Sequence, residues 1–102
     1  IKVSVMYPNG PETKFDSEYY KNSHLPMIAE DLGDDLKGME FNLGIGGRAP
    51  GELAPYIAIV HLTFDSVESF KASFGPHAEK FAADVPNYTN VEGELQISEI
   101  IS

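Results

Sequence analysis

The sequence predicts an α+β domain with a ferredoxin-like βαββαβ order, whose single four-stranded antiparallel sheet pairs with a second copy of itself. Three observations predict this class: three segments alternate apolar and polar residues, a further strand segment is apolar at nearly every position, and helical segments lie between them. At 102 residues the chain has room for one hydrophobic core, so residues 1–102 are expected to form a single domain.

The first part of the chain predicts a strand and a kinked helix. Residues 1–7 alternate apolar and polar side chains, which is the two-residue period of a strand. Asp16 is expected to cap a helix over 17–31, because its carboxylate can accept the free backbone N–H groups of the first turn. Pro26 removes one backbone donor, so this helix is expected to kink or restart around 24–26.

Two further strands are predicted in the middle of the chain. Residues 39–45 alternate large apolar side chains with polar residues or glycine, which indicates a strand with one apolar side. A loop over 46–54 follows. Residues 56–64 read YIAIVHLTF, a pattern typical of a central strand that is covered on both faces.

The last part of the chain predicts a second helical region and a fourth strand. A cap at 65–66 can start a helix through Phe74, and Pro76 suits the first turn of a further helix to about Asp84. Residues 91–101 alternate again as a strand. Right-handed crossovers then place the first and third strands in the middle of the sheet, with both helical segments on one face.

The second face of this sheet predicts a homodimer. Two helical segments cover only one face of a four-stranded sheet, yet the third strand is apolar on both. A copy of the same sheet related by a two-fold axis is the commonest cover. The alternative is a monomer with a partly wet sheet face.

The second face also carries polar side chains, which predict a cavity between the sheet and its partner. One register groups His61 and Thr63 with four other polar residues. These are Ser4, Asn42, Glu94 and Gln96. An apolar lining with a few polar groups is typical of ligand sites, so His61 and Thr63 are candidate binding residues. A slip of one residue would place them on the opposite face.

The charge and composition exclude several classes of partner. A formal net charge of -9 disfavours nucleic acid and anionic membrane surfaces, and no apolar run approaches the roughly 20 residues of a membrane span. The absence of cysteine rules out disulfides and thiol chemistry. The chain opens on a strand pattern, not on a signal peptide, so a cytoplasmic location is expected, although a chain whose leader had been removed would look the same.

His24 is the first candidate for chemistry, with Tyr20 one helical turn before it. An imidazole beside the expected kink could transfer protons near neutral pH. The alternative is a histidine that only hydrogen-bonds the carbonyl freed by Pro26. No acid lies next to His24 in the sequence to orient it as in a catalytic triad.

The other histidines and tyrosines have simpler interpretations. His61 could be a satisfied core histidine, and His77 a solvent-exposed structural one. The three histidines form no metal-binding pattern, so neither a metal nor a cofactor is expected. Tyr7 and Tyr19 are candidate binding residues, although Tyr7 could equally be a core or rim aromatic.

Residues 6–27 resemble the opening of EthD-like proteins, in which F-D-x-x-Y-Y precedes an H-x-P motif. The residues that carry the match are Phe15, Asp16, Tyr19, Tyr20, His24 and Pro26. The resemblance continues through PYIAIVHLTFDSVESFKASFG and PNYTN, so it covers essentially the whole chain.

This resemblance implies a dimeric α+β barrel, in which the sheets of two copies face one another. The family is named for a protein required in the bacterial degradation of ethyl tert-butyl ether, and some similar domains act as cyclases, dehydratases or decarboxylases in polyketide tailoring. His24 matches the histidine of the H-x-P motif, and Tyr20 matches the aromatic residue before it.

Three hypotheses on function follow. The first is a cofactor-free acid/base enzyme acting on a small apolar, oxygen-bearing metabolite, with His24 as acid or base and a tyrosine orienting the substrate. The second is a non-catalytic accessory protein that carries a hydrophobic intermediate of an oxygenase pathway. The third is a haem-handling protein in which one histidine is the axial ligand.

Overall fold

The computed structural model describes residues 1–102, which fold into four strands and four short α-helices joined by tighter or wider turns. In chain order the elements are β1 (Lys2–Pro8), α1 (Ser17–Tyr19), a π-helical turn (Tyr20–His24), α2 (Leu25–Leu32), a 3₁₀ turn (Gly33–Asp35), β2 (Gly38–Leu43), β3 (Tyr56–Thr63), α3 (Val67–Phe74), a 3₁₀ turn (Gly75–His77), α4 (Ala78–Asp84), a 3₁₀ turn (Val85–Asn87) and β4 (Glu94–Ser98). The predicted βαββαβ order and the α+β class are confirmed.

The four strands form one antiparallel sheet in the order β2-β3-β1-β4. Strands β1 and β3 pair with each other in the middle, as the crossover argument predicts, while β2 and β4 lie at the edges. The fourth strand is shorter than the predicted 91–101, because Ile100 and Ile101 lie beyond the end of its ladder and are exposed.

One face of the sheet packs against the helices and forms the hydrophobic core. Because facing residues of paired strands share a face, Val5 lies beside Val60 on this side and Tyr7 beside Ala58. The helical layer contributes large side chains to the same cluster. The buried core residues are Val3, Tyr7, Tyr20, Leu25, Ile28, Leu32, Ala58, Val60, Leu62, Phe64, Phe70, Phe81 and Tyr88.

The other face, here called the outer sheet face, carries a polar row across all four strands. Ser4 pairs with His61 on one side and with Gln96 on the other, and His61 pairs with Glu40. The neighbouring row contains Ile59 and other residues of mixed polarity. The register that groups His61 with Ser4 and Gln96 is therefore the one the structure adopts.

The first helical segment widens where the sequence predicts a kink. Asp16 caps it as expected, since its Oδ1 accepts a hydrogen bond from the Tyr19 N–H at 3.0 Å. The Leu25 N–H then reaches back five residues to the Tyr20 carbonyl, which closes a π-helical turn. Pro26 follows in the first turn of α2, where its missing N–H is tolerated. None of the helices is long and apolar enough to cross a membrane.

Candidate functional site

A cavity of about 300 Å³ lies between the helical layer and the core face of the sheet. Its walls are mostly hydrophobic, with Val5, Val60 and Leu62 from the sheet and Ile28 from α2. The opposite wall comes from α4 and the chain before β4, which present small residues. These are Ala78, Ala82 and Gly93. The two alanines leave space that larger side chains would fill, although Phe81 of α4 also lines the cavity.

One end of the cavity is polar and aromatic. It is formed by Tyr7, Tyr20, His24 and Tyr88, all of them buried. The His24 ring stacks on Tyr20 with 5.0 Å between ring centroids and lies 4.7 Å from the Tyr88 ring. These side chains supply the few placed polar groups that orient a ligand in an apolar pocket.

His24 is held by an acid that lies 60 positions later in the chain. Its Nδ1 lies 2.9 Å from Oδ2 of Asp84, the last residue of α4. The Tyr19 hydroxyl and the Asn87 amide donate to the other carboxylate oxygen, at 2.6 and 2.8 Å. The interpretation of His24 as a ring bonded to the carbonyl freed by Pro26 is therefore wrong. An orienting acid is present, although it is distant in the sequence.

The pKa values of the pair fix its protonation at neutral pH. Burial lowers the pKa of His24 below its usual value of 6.5, and the hydrogen bond and charge of Asp84 offset only part of this effect. Burial raises the pKa of Asp84, but hydrogen bonds from Tyr19, Asn87 and His24 outweigh it and the net shift is downward. His24 is thus neutral beside a carboxylate, and its single ring hydrogen must lie on Nδ1 to make the bond.

The second ring nitrogen of His24 is open to the cavity. Nε2 has no hydrogen-bond partner in the protein. Every fully buried side-chain nitrogen or oxygen in this protein has a hydrogen-bond partner. Since Nε2 has none, this atom is not fully buried, although the residue as a whole is only 4% exposed. The open space beside it is the cavity that His24 lines. This is the geometry of a general base whose other nitrogen is fixed by a carboxylate.

The tyrosines at the polar end act as hydrogen-bond donors. The hydroxyls of Tyr7 and Tyr88 lie 2.8 Å apart in a buried hydrogen bond. Burial is the main cause that raises the pKa of Tyr20 well above its usual value, and the neighbouring Tyr7 adds to the effect. Burial is also the main cause that raises the pKa of Tyr88. Both side chains are therefore neutral phenols at neutral pH.

The structure divides the sequence-predicted candidates between the two sheet faces. Tyr7, Tyr20 and His24 meet in the cavity, while Tyr19 lies outside it, stacks on Tyr88 and hydrogen-bonds Asp84. The remaining two, His61 and Thr63, lie on the outer sheet face beside a smaller recess of about 240 Å³. His61 Nδ1 hydrogen-bonds there to Ser4 Oγ at 2.7 Å. The apolar cavity that His24 lines is thus on the helical side, not on the face where a partner was expected.

Three residues of the site were not predicted from the sequence. Asp84 is predicted only as the end of a helix, and Asn87 and Tyr88 appear only within the PNYTN segment. The only signal for the last two was the PNYTN segment of the family resemblance. His77 also differs from expectation, because it is half-buried, stacks on Phe81 with 5.8 Å between ring centroids, and lies 3.8 Å from an Asp31 oxygen.

The fold and the site together define a small ferredoxin-like α+β protein with a buried histidine–aspartate pair at the end of an apolar cavity. The EthD domain model matches residues 11–92, and a crystal structure of an EthD-like protein from Ralstonia eutropha JMP134 is 35% identical. That match covers 99% of this chain and 91% of the other, with a TM-score of 0.95. The chain belongs to the EthD family.

Two more distant structures share the fold. An ethyl tert-butyl ether (EthD) family protein from Bacillus halodurans C-125 is 19% identical over 96% of this chain and 97% of the other, with a TM-score of 0.62. HapK from Hahella chejuensis is 14% identical over 100% of this chain and 95% of the other, with a TM-score of 0.55. No curated protein matches the sequence.

Proposed function

We propose that this protein is a cofactor-free enzyme that moves a proton on a small apolar, oxygen-bearing metabolite, in its degradation or tailoring. The observation that carries the proposal is the free Nε2 of neutral His24, which faces an apolar cavity while Nδ1 is fixed by Asp84. Isomerases, cyclases, dehydratases and decarboxylases of the acid/base type share this elementary step, so the geometry supports the class and not one member of it.

The roles of the residues follow from their contacts. His24 is the acid or base. Asp84 is a positioning residue, because it fixes the tautomer and stabilises the imidazolium that forms when Nε2 takes a proton. Tyr20, stacked on the imidazole, holds the ring in place and lines the path of the substrate. Tyr19 and Asn87 hold the carboxylate in turn.

The test is hydrogen–deuterium exchange at carbon. The purified protein is incubated in D₂O with a panel of small ketones and β-keto esters, and loss of the α-proton signal is followed by ¹H NMR. We expect exchange with at least one compound, and His24→Ala should slow it about 100- to 10,000-fold, which is the usual range for a general base. His77→Ala is the matched control, since His77 does not line the cavity. Equal exchange by wild type and His24→Ala would contradict the proposal.

A non-catalytic accessory protein is the second candidate, and the mostly hydrophobic lining of the cavity favours it. Such a protein needs a pocket but no proton transfer. The same samples distinguish an accessory protein from an enzyme. Saturable binding of a panel compound by the wild type, without deuterium exchange, would support the accessory role.

We also propose that the protein is a homodimer in which the outer sheet faces of two copies meet. The support is the position of Ile59 and Met6 beside the polar row of that face, with no helix of the same chain over them. His61 and Thr63, which remain candidate binding residues, would then line a wet space between the sheets.

A further inference from the structure

The paired phenols at the polar end of the cavity have one hydrogen to spare. Tyr7 and Tyr88 have two hydroxyl hydrogens but share a single hydrogen bond of 2.8 Å. Tyr20 makes a weaker contact with Tyr7, which also raises the pKa of Tyr20, so the three hydroxyls have three hydrogens for at most two bonds and one hydrogen remains. Both residues are at most 4% exposed and both line the cavity, so the spare hydrogen is available to a bound molecule.

This donor and the base lie at the same end of the cavity. The rings of Tyr88 and His24 are 4.7 Å apart, and those of Tyr7 and Tyr88 are 5.9 Å apart. A molecule bound at the phenol hydroxyls therefore lies at the end of the cavity that His24 also lines. The donating hydroxyl is itself polarised by the hydrogen bond within the pair, which strengthens it as a donor.

The charge around the cavity selects against anions. No lysine or arginine lines it, His24 is neutral, and the charged lining residue is the acidic Glu92. A carboxylate or phosphate would lose its hydration without gaining a counter-ion. The volume of about 300 Å³ is at the small end for ligand pockets, and suits a molecule of about one ring.

We infer that the Tyr7–Tyr88 pair binds the carbonyl oxygen of a small neutral ketone and stabilises the enolate that forms from it. In this step the α-carbon–hydrogen bond breaks, the proton goes to Nε2 of His24, and the electron pair moves onto the carbonyl oxygen, where the phenol hydrogen bond holds the negative charge. The transfer of the proton to His24 rests on the function proposed above. The binding of a carbonyl oxygen by the Tyr7–Tyr88 pair is independent of it.

The test uses acetophenone labelled with ¹³C at the carbonyl, added to the full chain and followed by ¹³C NMR. Hydrogen-bond donation withdraws electron density from a carbonyl carbon, so the bound resonance should move downfield of the ketone in an aprotic apolar solvent. Tyr7→Phe and Tyr88→Phe should each reduce the shift, because the remaining hydroxyl donates alone. The double variant should lose it. Tyr56→Phe is the control, since the Tyr56 hydroxyl bonds Glu94 outside the cavity.

Each remaining outcome counts for or against the inference. Loss of the shift in Tyr20→Phe, with retention in the double variant, would move the donor to Tyr20 and overturn it. Absence of bound acetophenone, or of any downfield shift, would also overturn it. His24→Ala should keep the shift and lose deuterium exchange of the methyl group. A wild type that shifts the carbonyl without exchange would refute the proposed enzyme and leave the oxygen site standing.

Discussion

At the residue scale, the central feature is the contact between His24 and Asp84, and its consequence is a pH profile. The hydrogen bond and charge of Asp84 raise the pKa of His24 against the larger, lowering effect of burial. Asp84→Asn removes the charge, so the pKa of His24 should fall further, and the acid limb of the exchange profile should move to lower pH.

The same variant should also lower the plateau of the exchange rate. An asparagine amide can donate to Nδ1 and stabilise the wrong tautomer, with the hydrogen on Nε2, where it blocks proton uptake. We expect the plateau exchange rate to fall by about 100- to 10,000-fold, which is the usual range for the loss of a general base. Asp31→Asn, which alters only the contacts with His77 and Lys80, is the control. An unchanged plateau would mean that Asp84 does not position the ring.

A second prediction at this scale concerns stability against pH. The pKa of His24 is lower in the folded chain than in the unfolded one, and so is that of Asp84. As the pH falls below each unfolded value, the unfolded chain binds more protons, so the free energy of unfolding should decrease. The loss should begin near pH 6.5 for His24 and continue at lower pH for Asp84. Urea unfolding should show the first part of this loss in wild type but not in His24→Gln.

At the element scale, the cap of α1 sets the position of the site. The Asp16 carboxylate accepts the Tyr19 N–H, and the next residues form the π-helical turn that carries Tyr20 and His24. Asp16→Ala should lower the free energy of unfolding by about 1 kcal/mol and weaken acetophenone binding. Ser66→Ala removes an equivalent cap from α3, remote from the cavity, and should cost about the same stability with no effect on binding. Both effects are read from urea unfolding and ligand titration.

The sequence predicts the elements well because their signals are local. Alternation identifies the strands, and Asp16 and Ser66 are capping residues at their observed positions. The π-helical turn depends on which carbonyl the Leu25 N–H selects, which proline spacing alone does not determine. The hydrogen bond of His24 with Asp84 depends on how α4 packs against the first helical segment. No spacing pattern encodes a contact across 60 positions.

At the scale of the whole molecule, the assembly is the main proposal. A dimer through the outer sheet face should be disrupted by Ile59→Glu, because the two-fold axis would place two new carboxylates near one another on a face that already carries Glu40 and Glu94. Light scattering during size exclusion should give a dimer for wild type and for the helix-surface control Ala72→Glu, and a monomer for Ile59→Glu. A wild-type monomer would contradict the proposed interface while leaving the cavity of each chain in place.

The placement of the cavity shows where whole-molecule prediction from sequence ends. Alternation alone leaves the register open, and of the registers it allows the structure adopts the one that groups His61 with Ser4. The void on the helical side is lined by two alanines of α4, and Gly93 closes one wall so tightly that a Cβ there would lie 3.0 Å from Val5 and 3.1 Å from the Tyr7 ring. Such complementarity depends on three-dimensional packing.

The most direct test of the central claim is the tautomer of His24, because it needs no substrate. Long-range ¹H–¹⁵N NMR of the uniformly labelled protein, with His24→Gln used to assign the signals, reports which ring nitrogen carries hydrogen. The predicted result is a neutral ring at neutral pH with hydrogen on Nδ1 and none on Nε2, titrating below 6.5. Hydrogen on Nε2, or an imidazolium at neutral pH, would contradict the assignment of His24 as the base.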